Sequence, residues 1–166
     1  RADMPKKLHS ALKIVVTRIG EPTPEEYEAR KHRMDSPKAV FDFWKTVISK
    51  KPDFEPEKEN LITILVDTRL KPIAYNLIAL GALNECIAHP REIFRPAIAA
   101  SAFGFILSHN HPSGDPSPSE MDRQLTAQIK KGAAILQLSM LDHVIVGDER
   151  SASGTPYFSF KEAGLL

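Results

Sequence analysis

The sequence predicts an α/β domain in which a mixed β-sheet is flanked by helices. Two strand-length runs, Leu61–Val66 and Phe103–Leu107, are almost wholly apolar and read as buried strands. Segments with helical spacing of apolar residues interleave with the strands. A second strand, Ile73–Leu80, follows the first across a short turn at Asp67–Pro72, so at least one hairpin is present.

Taken in order, residues 1–34 are polar, charged and broken by prolines, and read as an arm or extension laid on the domain. Within them, Leu8–Ile19 fits a strand or a short helix. Thr23-Pro24-Glu25-Glu26 has the form of a helix start, with a cap, a proline at the first helical position and early acids. The domain proper covers residues 35–166. It opens with Ser36 as a helix cap and Pro37 behind it. Val40, Phe41, Trp44, Val47 and Ile48 then recur at helical spacing until Lys50-Lys51-Pro52. Pro52–Lys58 is a charged linker to the first strand. After Gly81, Leu83–Ala88 fits a third strand. Pro90 opens a helix reaching about Ser101, bent or weakened by Pro96.

Phe103–Leu107 runs into Ser108-His109-Asn110-His111-Pro112-Ser113-Gly114-Asp115-Pro116-Ser117. Ser117, Pro118 and Glu120 then fit cap, first helical position and capping-box acid of a helix reaching about Gln137. Leu141–Val146 is a strand, Gly147–Pro156 a Ser/Gly-rich loop, and Tyr157–Phe160 a last short strand.

The length of 166 residues suits one domain with a sizeable core. There are 22 basic residues against 21 acidic, a formal net charge of +1. That balance offers no general attraction to nucleic acid, although a local basic patch stays open. No stretch is long and apolar enough to span a membrane. The single cysteine, Cys86, excludes an intramolecular disulfide and a cysteine-based zinc site, and reads as a buried structural thiol. A reducing compartment fits, so a cytoplasmic location is expected. The oligomeric state is not legible.

The chemistry lies after the Phe103–Leu107 strand. Residues two apart in extended chain point to the same side, so His109 and His111 can converge on one ion. Asp122 sits about one turn into the next helix, and the Pro/Gly-rich loop lets the chain turn back to bring its carboxylate to both imidazoles. Separately, the histidines also fit a surface pair and Asp122 a solvated acid at a helix start. Together they fit one zinc ion with an open fourth position, the arrangement of catalytic zinc.

His109-Asn110-His111-Pro112, followed by Ser119 and Asp122, resembles the H-x-H-P…S-x-x-D metal motif of JAB/MPN (JAMM-motif) metalloproteases. The longer run from His109 to Asp122 resembles the RadC branch of that superfamily. The likeness covers about Asp35–Leu166 and includes Glu59–Asp67, His89–Phe94, Leu141-Asp142-His143 and Phe158-Ser159-Phe160. It implies a cytidine-deaminase-like α/β fold and zinc-dependent hydrolysis of a peptide or isopeptide bond in a protein or peptide substrate. It also implies that Glu59, otherwise one more acid in a charged linker, is the proton-transferring base. Ser119 is either a donor to the developing oxyanion or a polar first-turn residue. Asn110 is expected to point away from the metal and brace the loop. His143 is expected in the core or behind the ligands, and Arg91 and Glu92 in structural pairing.

The alternative implied by the RadC likeness is a non-proteolytic accessory protein associated with DNA repair. The charge balance and the lack of a recognisable DNA-binding module speak against it. Binding to duplex DNA is therefore expected to be weak and to fall steeply with salt. Fluorescence anisotropy over a salt series checks this, and tight sequence-specific binding at physiological salt would favour the accessory role.

Overall fold

The computed structural model describes residues 23–81, 89–148 and 154–166. The expected segments at Leu8–Ile19 and Leu83–Ala88, and Cys86 with them, lie outside the described residues, as does part of the loop before Pro156.

Helix α1 (Pro24–Ala29) starts where the sequence places it. Thr23 accepts the Glu26 N–H, and the Glu26 carboxylate accepts the Thr23 N–H. Helix α2 (Pro37–Thr46) is capped by Ser36 and buries Val40, Phe41, Phe43 and Trp44. Its last expected turn tightens into a 3₁₀ turn at Ile48–Lys50, so the apolar stripe continues while the α-helix stops. Strands β1 (Asn60–Val66) and β2 (Pro72–Leu80) form the expected hairpin. Helix α3 (Pro90–Ala99) runs through Pro96. Strand β3 (Gly104–Asn110), helix α4 (Glu120–Ile135), strand β4 (Ser139–Val146) and strand β5 (Tyr157–Ser159) complete the order.

The sheet runs β2-β1-β3-β4-β5. β3 is antiparallel to β1 and parallel to β4, with α4 as the crossover between the parallel pair. The sheet is thus mixed, as expected. Alternation along β1 and β3 divides the core into two faces. Ile62, Ile64, Val66 and Ile106 pack with α2, whereas Leu61, Leu65, Phe105 and Leu107 pack with α3 and α4. Helices therefore cover both faces.

Two boundaries differ from expectation where they matter. β3 extends three residues beyond its apolar run, so Ser108, His109 and Asn110 are buried strand residues and not the start of a loop. The ladders to β1 and β4 satisfy their main chain, and the polar side chains find partners. Helix α4 begins at Glu120 with Ser119 as its cap, and not at Pro118 with Ser117. The Ser117 N–H is instead taken by the Asp115 carboxylate in a local turn at 2.9 Å. Two overlapping Ser-x-x-acid patterns compete here, and Ser119–Asp122 wins.

Glu26 also ties α1 to the domain. Its Oε1 accepts the Tyr75 hydroxyl of β2 at 2.8 Å and pairs with Lys51. Burial opposes ionisation, but the Lys51 and Tyr75 hydrogen bonds and the Thr23 N–H outweigh it and lower the pKa to about 2. The folded value lies below the ordinary one. This contribution is therefore complete above about pH 4.5 and lost as pH falls towards 2. Glu26→Gln at pH 7 should cost about 1.5–3 kcal/mol of α1 docking. Hydrogen exchange should show this as roughly 10–100-fold loss of protection confined to α1; unchanged protection would mean the latch holds without its charge.

Candidate metal centre

The register of β3 positions the centre. Leu61 of β1 opposes His109, and Glu59 and His111 lie just beyond the ends of these paired strands, two residues past that pair. On the other side, Leu107 opposes His143 of β4. By alternation, Glu59, His109, His111 and His143 all belong to the face covered by α4. Asp122, in the first turn of α4, comes down on that face.

His109, His111 and Asp122 are thereby brought together. His109 Nε2 lies 3.1 Å from His111 Nε2 and 3.1 Å from Asp122 Oδ1, and His111 Nε2 lies 3.5 Å from Asp122 Oδ2. A tetrahedron with metal–ligand bonds of about 2.0–2.1 Å has edges of about 3.3 Å. The spacing therefore fits one small tetrahedral cation. Asp122 and His109 are fully buried.

Hydrogen-bond accounting supports the fit. Asp122 Oδ2 accepts the Ser119 N–H at 2.7 Å and its hydroxyl at 2.6 Å. Asp122 Oδ1 is buried with no hydrogen-bond partner, although it faces His109 Nε2. Such an orphaned oxygen is costly in a dry site unless a cation completes it. His111 Nδ1 donates to the Asp115 carbonyl at 2.8 Å, which leaves its Nε2 as a lone pair facing the centre.

Electrostatics point the same way. Burial raises the Asp122 pKa, yet His109, His111 and Ser119 hold the carboxyl well below the usual range. Burial lowers the His111 pKa, but Asp122, the Asp115 carbonyl and the Glu59 charge raise it overall. Burial alone pushes His143 well below the ordinary histidine value, with His109 adding to the effect. The centre thus favours positive charge, while burial disfavours charge on the histidine behind it.

The remaining residues fall into place around this centre. Glu59 is half-buried, and its carbonyl accepts the Gly81 N–H at 2.9 Å. Asn110 turns away from the ligands. Its Oδ1 accepts the Asn60 N–H at 2.9 Å and its Nδ2 donates to the Lys58 carbonyl at 3.0 Å, so it clamps the chain on both sides of Glu59. Ser119 caps α4 and donates its hydroxyl hydrogen to Asp122 Oδ2. His143 lies behind His109, with Nε2 2.9 Å from His109 Nδ1. Glu92 pairs with Arg95 and Arg91.

Sequence reading did not single out Thr126, Asn60 or Gly147. Thr126 Oγ1 sits 2.6 Å from His143 Nδ1; its spacing of four from Asp122 on one helix was the available signal. Gly147 lets the ligand loop close on the end of β4, because a Cβ there would lie 2.4 Å from the Gly114 carbonyl. A cavity of about 300 Å³ lies on the other face of the sheet, beside the start of α2, and takes no part in the centre.

Comparison with known proteins agrees with this geometry. The family model described as a RadC-like JAB domain matches residues 34–165. The chain is 38% identical over 146 residues to a UPF0758 protein of Trichlorobacter lovleyi, covering 86% of this chain and 59% of the relative. It is 38% identical over 148 residues to a UPF0758 protein of Thermotoga maritima, covering 89% and 61% respectively. A UPF0758 protein of Methanococcoides burtonii is 45% identical over 112 residues, covering 68% and 46%. The chain thus spans about half to three-fifths of the length of these relatives. Its sheet, its His-x-His strand end and its matched residues 34–165 place the chain in the RadC-like JAB domain family.

Proposed function

We propose that this domain is a zinc-dependent hydrolase that cleaves a peptide or isopeptide bond in a protein or peptide substrate. The observation that carries the reading is the convergence of His109, His111 and Asp122 on one point, with Asp122 Oδ1 orphaned within the group. Two imidazoles and one carboxylate suit zinc, and three protein ligands leave a fourth position open. When bound, zinc would supply an acidified water near neutral pH and polarisation of the scissile carbonyl.

The chain's own residues supply the rest. Glu59 takes a proton from the attacking water and passes it to the leaving amine. Its place two residues before Leu61, which pairs with His109, supports that role, and the effect of its charge on His111 agrees. Asn110 and Asn60 hold the main chain at Glu59, so the carboxylate approaches from a fixed strand end and not from a loose linker. Ser119 orients Asp122.

Two measurements separate the metal from the chemistry. Wild-type protein should hold one zinc per chain by elemental analysis, and His109→Ala/His111→Ala should hold almost none; full stoichiometric zinc in the double variant would overturn the ligand assignment. Glu59→Gln should keep its zinc but lose about 10²–10⁴-fold of the hydrolysis found by screening peptide and isopeptide libraries with and without chelator. If Glu59→Gln hydrolyses substrate at the wild-type rate, the proton must move through another group.

A further inference from the structure

His143 is the buried titratable side chain that the proposed chemistry leaves unused, and its hydrogen bonds can be followed proton by proton. It is fully buried, with the Phe160 ring stacked on it at 4.9 Å and 10°. Thr126 Oγ1 lies 2.6 Å from the Asp122 main-chain carbonyl and 2.6 Å from His143 Nδ1. A hydroxyl has one hydrogen and a carbonyl can only accept. That hydrogen therefore goes to Asp122, and Thr126 Oγ1 accepts from His143 Nδ1–H.

A neutral imidazole carries one N–H, so His143 Nε2 is a lone pair. It faces His109 Nδ1 at 2.9 Å, which must then carry the hydrogen. His109 Nε2 is left as a lone pair facing His111 and Asp122, the form that ligates a metal.

We propose that His143, locked by Thr126, is a positioning residue that fixes both the tautomer and the ring orientation of His109. Its purpose rests on the metal-centre reading above; its proton arrangement does not. A metal-binding histidine ordinarily hands its second N–H to a carboxylate, a carbonyl or water, all of which accept unconditionally. An imidazole accepts in only one of its two tautomers. The arrangement works only with a second lock, and Thr126 supplies it. The circuit also returns to the main chain of Asp122, so the strand ligand and the helix ligand are held to each other from behind.

The test uses the full chain. Long-range ¹H–¹⁵N correlation on ¹⁵N-labelled wild type, after chelator treatment and again with added zinc, should show His143 and His109 each carrying its hydrogen on Nδ1. His143 found with its hydrogen on Nε2 would overturn the proposal whether or not metal binds. In competition with a chromogenic chelator, Thr126→Val should weaken zinc binding by about 10–100-fold, the usual effect of losing a partner behind a ligand. Thr126→Ser, which keeps the hydroxyl, should bind like wild type. Equal affinity of Thr126→Val and wild type also overturns the proposal. Should Thr126→Val fail to fold, the wild-type tautomers decide. Should wild type take up no zinc, the metal-centre reading falls while the tautomers still test the lock.

Discussion

Asp122 carries a carboxylate with no solvent exposure, and burying an unpaired charge costs several kcal/mol. Much of the surrounding structure answers that cost. Ser119 gives one oxygen two hydrogen bonds. The N-terminus of α4 adds the positive end of a helix dipole, since Asp122 is the third residue of that helix. The second oxygen is left to face His109 Nε2 at 3.1 Å, while His111 Nε2 lies 3.5 Å from the first. The helix start, the loop that precedes it and the polar end of β3 are therefore one arrangement. Moving the helix start back to Ser117 would turn Asp122 by about 200° and take its carboxylate off the strand, at about 100° per residue.

This constraint explains which features were legible in the sequence. Apolar runs located β1 and β3, and helical spacing with Ser36-Pro37 located α2, because burial and capping act locally. The start of α4 was not decidable from local signals. Ser117-x-x-Glu120 and Ser119-x-x-Asp122 are equally good capping patterns. The choice is made by His109 across the fold, an interaction with no local trace. The end of β3 was hidden for a related reason. Its last three residues are polar, so hydrophobicity stops at Leu107 although the strand does not. Strand pairing to β1 and β4 carries it on.

The two histidine ligands and Asp122 were legible as a group from spacing, and Glu59 only through family resemblance. The physical difference is clear in the fold. His109 and His111 are two residues apart at one strand end, whereas Glu59 comes from the start of a different strand that pairs with it. Thr126 offered only its spacing of four from Asp122, because threonine at a buried helix position is unremarkable until its partner on β4 is known. The segments Leu141-Asp142-His143 and Phe158-Ser159-Phe160 gain a shared reason for their resemblance to the family. Asp142 binds the Ser159 hydroxyl at 2.6 Å and the Lys161 N–H at 3.0 Å, and Phe160 lies on His143.

The division of the sheet into two faces separates stability from chemistry. The α2 face is an aromatic and aliphatic core with Phe41, Phe43 and Trp44 at its centre. It contributes apolar burial of the kind that dominates folding, and by alternation from Ile106 it also carries Ser108 and Asn110 at the strand end. The α3/α4 face begins the same way, around Ile93, Phe105 and Ile129, and becomes polar only towards His109. A strand end rich in buried polar groups is tolerable because these groups find partners: on the α2 face Asn110 with Asn60 and Lys58 and Ser108 with the Val144 carbonyl, and on the α4 face His143 with Thr126. The chain of satisfaction breaks at Asp122 Oδ1 and the two Nε2 atoms. A strand end that gives partners to Asn110, Ser108 and His143 and leaves three electron-rich atoms converging has the form of a site that could hold a cation.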